Sequence, residues 1–303
     1  MTNIPLSGIF AAAVTPLKQD TSLDLDGIPL LLDFLASRGC HGALMLGTTG
    51  EGPSFSRLER EKIMRCAADH RNNMPGFKLL AGTGTPSLSE TIDLTRQAFD
   101  LGYDGVVVLP PYYFRKATED GLFKWFGELI HNAVPDDGSL LGYHFPNVAG
   151  IGFSIDLLKR LKDAFPIQFV GIKDSAHDAE FSISLGKKFG SELSVFSGTD
   201  SDFQLALENH AVGCITAPAN LLSPGLREIY DAQKSGKDPG EIQKRVAVQR
   251  HLLENYIPFP PTLKVLLHRI YNLPRWAVKP PLEELDSETE TELLKEFSVL
   301  QVG

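Results

Sequence analysis

The chain has 303 residues, of which 43% are hydrophobic and 22% are charged, and its formal net charge is −9 at pH 7. That composition is typical of a globular protein with a sizeable core, and an acidic chain without a basic patch is a poor partner for nucleic acid. No apolar run is long enough to cross a bilayer, and residues 1–6 lack the basic start and apolar core of a secretory signal, so we expect a cytoplasmic protein with no membrane or nucleic-acid partner.

Short apolar runs alternate with longer amphipathic segments over most of the chain. The predicted strands cover 9–14, 42–46, 77–81, 105–109, 140–144, a run that ends at Lys173, 193–197 and 212–216. The predicted helices cover 26–38, 56–70, 87–101, 119–133, 155–164, 179–189, 201–208 and 223–234. Alternating strands and helices predict an α/β fold with a parallel sheet covered on both faces, and eight such units match the closed (β/α)8 TIM barrel.

The chain is predicted to be helical from Gly236 onwards. The helical segments there are 239–255, 261–271 and 286–298. We therefore expect a catalytic barrel over residues 1–235 and a C-terminal helical extension over 236–303 that packs on the barrel.

The cysteines and histidines form no recognisable metal or disulfide pattern. Cys40, Cys66 and Cys214 are odd in number and widely spaced, which favours free thiols in a reducing compartment. The eight histidines are scattered as well. We predict neither a metal site nor another cofactor.

Polar residues follow several of the predicted strands. In a barrel of this kind the active site lies at the C-terminal ends of the strands. The strand-end segments are Gly47-Thr48-Thr49-Gly50-Glu51, Pro110-Pro111-Tyr112-Tyr113-Phe114, Tyr143-His144-Phe145-Pro146, Lys173-Asp174-Ser175, Gly198-Thr199-Asp200 and Ile215-Thr216-Ala217. One lysine, several hydroxyl groups and a carboxylate would therefore converge, which suits carbonyl chemistry.

Lys173 is the candidate nucleophile. The apolar run 168–172 reads as a buried strand that places the lysine amine against a hydrophobic wall. Burial disfavours the ammonium form, and a neutral amine can attack a ketone to form a Schiff base. The alternative is a solvated lysine at the end of a strand.

The neighbouring segments supply candidate partners for a 2-oxo acid. Thr48 and Thr49, in a glycine-flanked turn that begins at Gly47, can bind a carboxylate, and Tyr143 can transfer protons. The turn could also be purely structural, and Tyr143 could be a packed aromatic residue. Asp200 could bind a ligand or cap the helix that follows it.

At these residues the sequence resembles the dihydrodipicolinate synthase / N-acetylneuraminate lyase family of class I aldolases. The matching segments are Gly47-Thr48-Thr49-Gly50-Glu51, Pro111-Tyr112-Tyr113, Tyr143-x-x-Pro146 and Gly171-Ile172-Lys173-Asp174. The resemblance implies a (β/α)8 barrel with a C-terminal helical extension. It also implies a homo-oligomer, tetramer or dimer, and no metal or organic cofactor.

The resemblance also implies a role for individual residues. Lys173 corresponds to the Schiff-base lysine and Tyr143 to the acid/base tyrosine. Thr48 and Thr49 correspond to the residues that bind the pyruvyl carboxylate, with Thr48 also relaying protons. Tyr113 corresponds to the tyrosine that reaches the site of a neighbouring subunit, and Ile215 resembles the apolar residue that lines the pyruvyl pocket.

The substrate is indicated by a departure from the pattern of dihydrodipicolinate synthases. Those enzymes usually carry an arginine two residues after the proline, where this chain has Val148, and valine cannot pair with a carboxylate. The motifs look more like those of 2-keto-3-deoxygluconate aldolases.

A hydroxylated aldehyde partner would suit the polar groups at the ends of the fifth to seventh strands, namely His144, Ser175, Thr199 and Asp200. Gly198 is predicted to be a substrate-binding position as well. For His144 either a substrate contact or loop packing is possible. The leading hypothesis is a pyruvate-dependent class I aldolase that cleaves a 2-keto-3-deoxy sugar acid to pyruvate and an aldehyde. The alternatives are a dihydrodipicolinate synthase and a non-catalytic barrel that binds a 2-oxo acid.

Overall fold

Eight parallel strands close into a barrel in sequence order, with β1 hydrogen-bonded to both β2 and β8. The structure is a computed structural model that describes residues 6–301. The strands are β1 Gly8–Ala12, β2 Gly42–Met45, β3 Lys78–Gly82, β4 Gly105–Val108, β5 Leu140–His144, β6 Phe169–Asp174, β7 Ser194–Ser197 and β8 Ala211–Thr216. The predicted (β/α)8 barrel is confirmed.

Helices surround the barrel and continue past it. They are α1 Gly27–Ser37, α2 Arg57–Arg71, α3 Leu88–Asp100, α4 Glu119–Ala133, the short α5 Pro146–Ala149, α6 Ile155–Ala164, α7 Ala179–Phe189, α8 Phe203–Glu208, α9 Ala219–Lys234, α10 Gly240–Glu254, α11 Phe259–Tyr271 and α12 Ser287–Gln301. The last three form the C-terminal extension, and α10 and α11 both pack against α9. No helix within residues 6–301 has the length and hydropathy needed to cross a membrane.

Helix α9 begins four residues earlier than its predicted start at 223. Its first turn contains Asn220, whose side chain donates to the carbonyls of Ala12 and Ala217 and accepts from the amide of Val14. These buried contacts hold the turn in place although Pro224 lies inside the helix. The early start therefore depends on tertiary contacts, which explains why local sequence signals did not reveal it.

The two faces of each strand belong to different parts of the core. Side chains alternate along a strand between the barrel interior and the surrounding helices. The interior cluster includes Phe10, Leu141, Tyr143, Phe196 and Ile215, whereas a larger cluster fills the space between the strands and the helices. The position of a residue in this alternation therefore decides whether its side chain faces the barrel interior, from which it can reach the mouth of the barrel, or the helices.

Candidate active site

A cavity of about 530 Å³ opens at the C-terminal ends of the strands. One side of it is formed by residues at the ends of β2, β5, β6 and β8, including Thr48, Tyr143, Lys173 and Ile215. The other side is formed by α10 and by residues 257–260, which lead into α11 and include its first two residues. The C-terminal extension therefore completes the wall of the cavity that the barrel begins.

Lys173 and Tyr143 face each other inside the cavity. They are direct partners in the register of β5 and β6, so both side chains lie on the interior face. Lys173 is 4% exposed, and its Nζ lies 4.1 Å from the centroid of the Tyr143 ring. Within the described part of the chain, Lys173 has no carboxylate at ion-pair distance, whereas the other buried lysine, Lys264, is paired with Glu51. Lys173 is thus a buried amine that faces a cavity without a counter-ion.

The hydroxyl groups of Tyr143 and Thr48 lie close together. Their oxygen atoms are 3.5 Å apart, at the outer limit of a hydrogen bond. The Tyr143 ring also stacks on Phe145, with centroids 5.7 Å apart. A proton could pass between the phenol and the threonine beside the Lys173 amine.

The turn that carries Thr48 and Thr49 is held by backbone hydrogen bonds. The amide of Glu51 donates to the carbonyl of Thr48, and the amide of Gly52 donates to that of Gly47, both at 3.1 Å. Thr48 is exposed to the cavity, whereas Thr49 is buried, and both line its wall. The turn therefore presents two hydroxyl groups on a fixed backbone.

Glu51 anchors this turn to the C-terminal extension. Its buried carboxylate accepts from Lys264 Nζ at 2.5 Å and from the amide of Lys279 at 2.7 Å. Burial lowers the pKa of Lys264, although the Glu51 carboxylate acts in the opposite direction. Glu51 belongs to the motif that begins at Gly47, but the sequence indicates no role for it, because its partners lie more than 200 residues away.

Ser175 and Gly198 meet at the cavity wall. The Ser175 amide donates to the carbonyl of His144 at 2.8 Å, and Ser175 and Gly198 both line the cavity. A Cβ atom on Gly198 would lie 1.9 Å from Ser175 Oγ. The same Cβ would lie 2.7 Å from the backbone carbonyl oxygen of Asp174, which cannot rotate away, so this position requires glycine.

The structure places His144 away from the cavity, which corrects its prediction as a substrate contact. The residue follows Tyr143 in β5, so its side chain points to the helices. Its Nδ1 accepts from the amide of Phe153 at 2.9 Å, and its ring stacks on Phe181 with centroids 4.4 Å apart. Of the two alternatives for His144, the geometry corresponds to packing.

Asp200 neither lines the cavity nor caps a helix, so both of its sequence-based roles are wrong. Its side chain is fully buried, and Oδ2 accepts from Arg250 Nη1 at 2.8 Å. The residue at the N-cap of α8 is Asp202 instead. Arg250, which does line the cavity, was missed because no local sequence signal connects α10 to the strand ends.

A family model described as the dihydrodipicolinate synthetase family matches residues 5–299. The chain belongs to this family. Its members are pyruvate-dependent carbon–carbon lyases, and the chain is therefore an enzyme of that class. The family resemblance drawn from the strand ends is confirmed.

Relatives of the dihydrodipicolinate synthetase family match the chain over almost its whole length. An "Uncharacterized DapA-like lyase" from Chloroflexus aurantiacus is 36% identical over 297 residues, covering 98% of this chain and 97% of its own. A 4-hydroxy-tetrahydrodipicolinate synthase from Prochlorococcus marinus is 31% identical, covering 98% and 96%. Among solved structures, the Escherichia coli K12 prophage protein YagE in complex with pyruvate has a TM-score of 0.91 and 26% identity, covering 99% of this chain and 100% of that one.

Val148 and Tyr113 are the two positions at which this chain can be compared with the residues expected in the dihydrodipicolinate synthetase family. Val148 lines the cavity and is 43% exposed, so no cation occupies the place of the expected arginine. Tyr113 is 76% exposed and packs edge-to-face on Phe114 in the loop after β4, outside the cavity wall of its own chain. That it reaches the site of a neighbouring subunit in a homo-oligomer stays a prediction.

Residues 6–301 contain no candidate metal site and no disulfide bond. No group of three or more His, Cys, Asp or Glu side chains there could hold a metal ion. Cys40, Cys66 and Cys214 are free thiols, two of them buried.

Asp174 and His144 form a buried cross-strand pair on the helix-facing side of β5 and β6. Burial raises the pKa of Asp174 to about 6, although its carboxylate accepts from the Ala176 amide at 3.1 Å. Burial lowers the pKa of His144 to about 4. Each group is therefore shifted toward its uncharged form.

These two shifts change stability with pH in opposite directions. A carboxyl whose native pKa lies above its usual 3.8 binds more protons when folded, so the stability that Asp174 contributes falls between about pH 4 and pH 6. His144, with a native pKa below its usual 6.5, contributes stability that rises over about pH 4 to pH 6.5.

Replacing Asp174 with asparagine is expected to remove only the Asp174 contribution to stability, which falls as the pH rises. The Asp174→Asn variant should therefore gain about 3 kcal/mol of unfolding free energy relative to the wild type between pH 4 and pH 6.5. Urea unfolding at several pH values measures this difference. A variant whose profile runs parallel to that of the wild type would contradict the assignment.

Proposed function

We propose that this lyase cleaves a 2-keto-3-deoxy sugar acid reversibly into pyruvate and an aldehyde through a Schiff base on Lys173. The observation that carries the proposal is the buried, unpaired amine of Lys173, 4.1 Å from the Tyr143 ring at the floor of a large cavity. A buried amine without a counter-ion is suited to attack a ketone.

The reaction follows from the placement of these groups. The Lys173 amine adds to the C2 carbonyl, water leaves, and a protonated imine forms. The imine withdraws electrons as the C3–C4 bond breaks, while a base takes the proton of the C4 hydroxyl and the aldehyde departs. The resulting enamine takes up a proton at C3, and water releases pyruvate from the lysine.

Tyr143 and the threonine turn are placed to assist these steps. The Tyr143 ring lies against the Lys173 amine and its hydroxyl lies 3.5 Å from that of Thr48, so the phenol is suited to take the C4 proton and return it at C3. The hydroxyls of Thr48 and Thr49, with the amides of their turn, are suited to the substrate carboxylate. The pyruvate complex of YagE, at 26% identity, supports a pyruvyl group in this position.

The aldehyde half is assigned from the charges of the cavity wall. Besides Lys173, the cationic residue of the described wall is Arg250, and its guanidinium is already bound to Asp200 and Glu254. Since Val148 stands where dihydrodipicolinate synthases carry an arginine, a second substrate carboxylate has no free cation to bind. An uncharged, hydroxylated aldehyde fits this wall better.

The proposal is tested by trapping and by a substrate panel. Borohydride reduction of the wild-type enzyme with pyruvate should add one reduced pyruvyl group, seen by intact mass. Condensation of pyruvate should then be faster, by about tenfold or more in kcat/KM, with D- or L-glyceraldehyde than with aspartate semialdehyde. Absence of the adduct would overturn the proposal.

A second candidate is the dihydrodipicolinate synthase reaction, which condenses pyruvate with aspartate semialdehyde. It is favoured by the name of the Prochlorococcus relative at 31% identity. The same panel decides between the two, because a preference for aspartate semialdehyde would establish this second reaction and exclude the sugar-acid cleavage.

Replacing Tyr143 with phenylalanine is expected to lower kcat by roughly 10²- to 10⁴-fold, the usual contribution of one acid–base group. The ring that lies under the Lys173 amine stays, and the hydroxyl near Thr48 is lost. Steady-state kinetics measure the effect, and intact mass after slow borohydride trapping checks that Lys173 still reacts. A Tyr143→Phe enzyme with wild-type kcat would remove the phenol from the mechanism.

A further inference from the structure

The side of the cavity opposite the strand ends carries a guanidinium held from three directions. Arg250 on α10 donates from Nη1 to Asp200 and from Nε to Glu254, both at 2.8 Å. Its guanidinium carbon also lies 5.0 Å from the centroid of the Phe259 ring. Arg250 is 3% exposed yet lines the cavity, so its planar group is fixed at the cavity wall.

The charges of this wall do not favour an anion. Two carboxylates, Asp200 and Glu254, accompany the single guanidinium of Arg250. The nearby His177 also lines the cavity, and burial, with help from Arg250, lowers its pKa, so the imidazole adds no positive charge at neutral pH. The positive charge of Arg250 is therefore already paired with carboxylates and is not available to an anionic ligand.

Hydrogen-bonding capacity remains on both Arg250 and Glu254. Within the described residues, Arg250 Nη2 has no partner, and the second carboxylate oxygen of Glu254, Oε2, has none either. The side chain of Glu254 is 35% exposed, and the residue lines the cavity. A hydroxyl group can donate to a carboxylate and accept from a guanidinium, so two neighbouring hydroxyls would satisfy both atoms.

We propose that Arg250 and Glu254 form the subsite for the distal hydroxyl groups of the aldehyde, with Asp200 and Phe259 holding Arg250 in position. The inference rests on the proposed aldolase reaction and adds the specificity-determining pair. The subsite selects uncharged polyhydroxy aldehydes over both unhydroxylated and anionic ones.

The experiment compares two uncharged three-carbon aldehydes, glyceraldehyde and propanal, which differ in their hydroxyl groups. The readout is kcat/KM for glyceraldehyde divided by kcat/KM for propanal, each in condensation with pyruvate. In Glu254→Met, which removes both carboxylate oxygens, this ratio should fall about tenfold or more. Arg250→Lys, which keeps a cation beside the buried Asp200 but removes Nη2, should lower the ratio as well.

A matched control lies on the same helix. The side chain of Glu241 is 89% exposed and pairs with Lys244, outside the cavity wall. Glu241→Met should therefore leave the ratio at its wild-type value. A fall in Glu241→Met equal to that in Glu254→Met would overturn the inference, since the effect would then be general.

The outcomes separate this inference from the proposed function. If the wild-type enzyme forms the pyruvyl adduct but the ratio is unchanged in both Glu254→Met and Arg250→Lys, the subsite is wrong and the aldolase proposal stands. If the wild-type enzyme forms no adduct, the proposed function fails and the subsite fails with it. A further expected result is that Glu254→Met accepts succinic semialdehyde better than the wild type, because the Glu254 carboxylate, which repels an anionic aldehyde, is gone.

Discussion

Replacing Lys173 with alanine is expected to abolish the borohydride-trapped pyruvyl adduct and to lower kcat by at least about 10⁴-fold, as loss of a nucleophile does in other enzymes. The expectation rests on the position of the amine, which is 4% exposed, faces the cavity and lies 4.1 Å from the Tyr143 ring centroid. Without the amine no imine forms, and the C3–C4 bond has no electron acceptor.

The control for this variant is an exposed lysine. Lys187→Ala on α7 should keep both the adduct and the activity, because Lys187 lies on the surface. Urea unfolding should show that Lys173→Ala is folded, so that the loss is chemical. An adduct that persists in Lys173→Ala would mean that another amine reacts, and the mechanism would have to be abandoned.

Replacing Lys264 with methionine is expected to cost about 3–5 kcal/mol of unfolding free energy, the range found when one partner of a buried ion pair is removed. Lys264 and Glu51 are both almost completely buried, and their charged atoms lie 2.5 Å apart. Methionine fills a similar volume but leaves the Glu51 carboxylate without its cation. Urea unfolding at neutral pH measures the loss.

The same variant should also weaken the site. Glu51 follows Thr48 and Thr49 in one turn, and its carboxylate fixes that turn to α11 and to the amide of Lys279. A loosened turn presents the threonine hydroxyls less accurately, so we expect a higher KM for pyruvate with a smaller change in kcat.

A double variant isolates the ion pair as the cause. Glu51→Gln combined with Lys264→Met removes both charges, and most of the lost stability should return. Lys244→Met, which breaks an exposed pair on α10, should have no measurable effect. If Lys264→Met costs less than about 1 kcal/mol, the pair does not hold the turn.

The order of strands and helices could be read from the sequence because those signals are local. Apolar runs, helical periodicity and capping residues specify each element; the Ser56-x-x-Glu59 pattern, for example, forms a capping box at the start of α2. Once the barrel was inferred, its geometry brought Lys173, Tyr143, Thr48, Ser175 and Ile215 to one end, and all five line the cavity.

The orientation of adjacent strand residues could not be read in the same way. Parallel strands are buried on both faces, so their sequences do not alternate between polar and apolar residues. Tyr143 and His144 therefore looked equally eligible for the site, but only Tyr143 belongs to the interior cluster. Because Tyr143 pairs with Lys173 across β5 and β6, these two side chains share the interior face, and His144 faces the helices.

The sequence by itself determined the barrel, the family and the strand ends that carry the chemistry, because these depend on hydrophobic periodicity and on short motifs. Only the tertiary structure decided that Asp200 is a buried partner of Arg250, that Glu51 is tied to Lys264, and that α10 forms the far wall of the cavity. These contacts join residues 50 and 213 positions apart, and no local pattern records them. Their physical basis is burial: once the extension covers the barrel mouth, each enclosed charge needs a partner, and the folded chain supplies it.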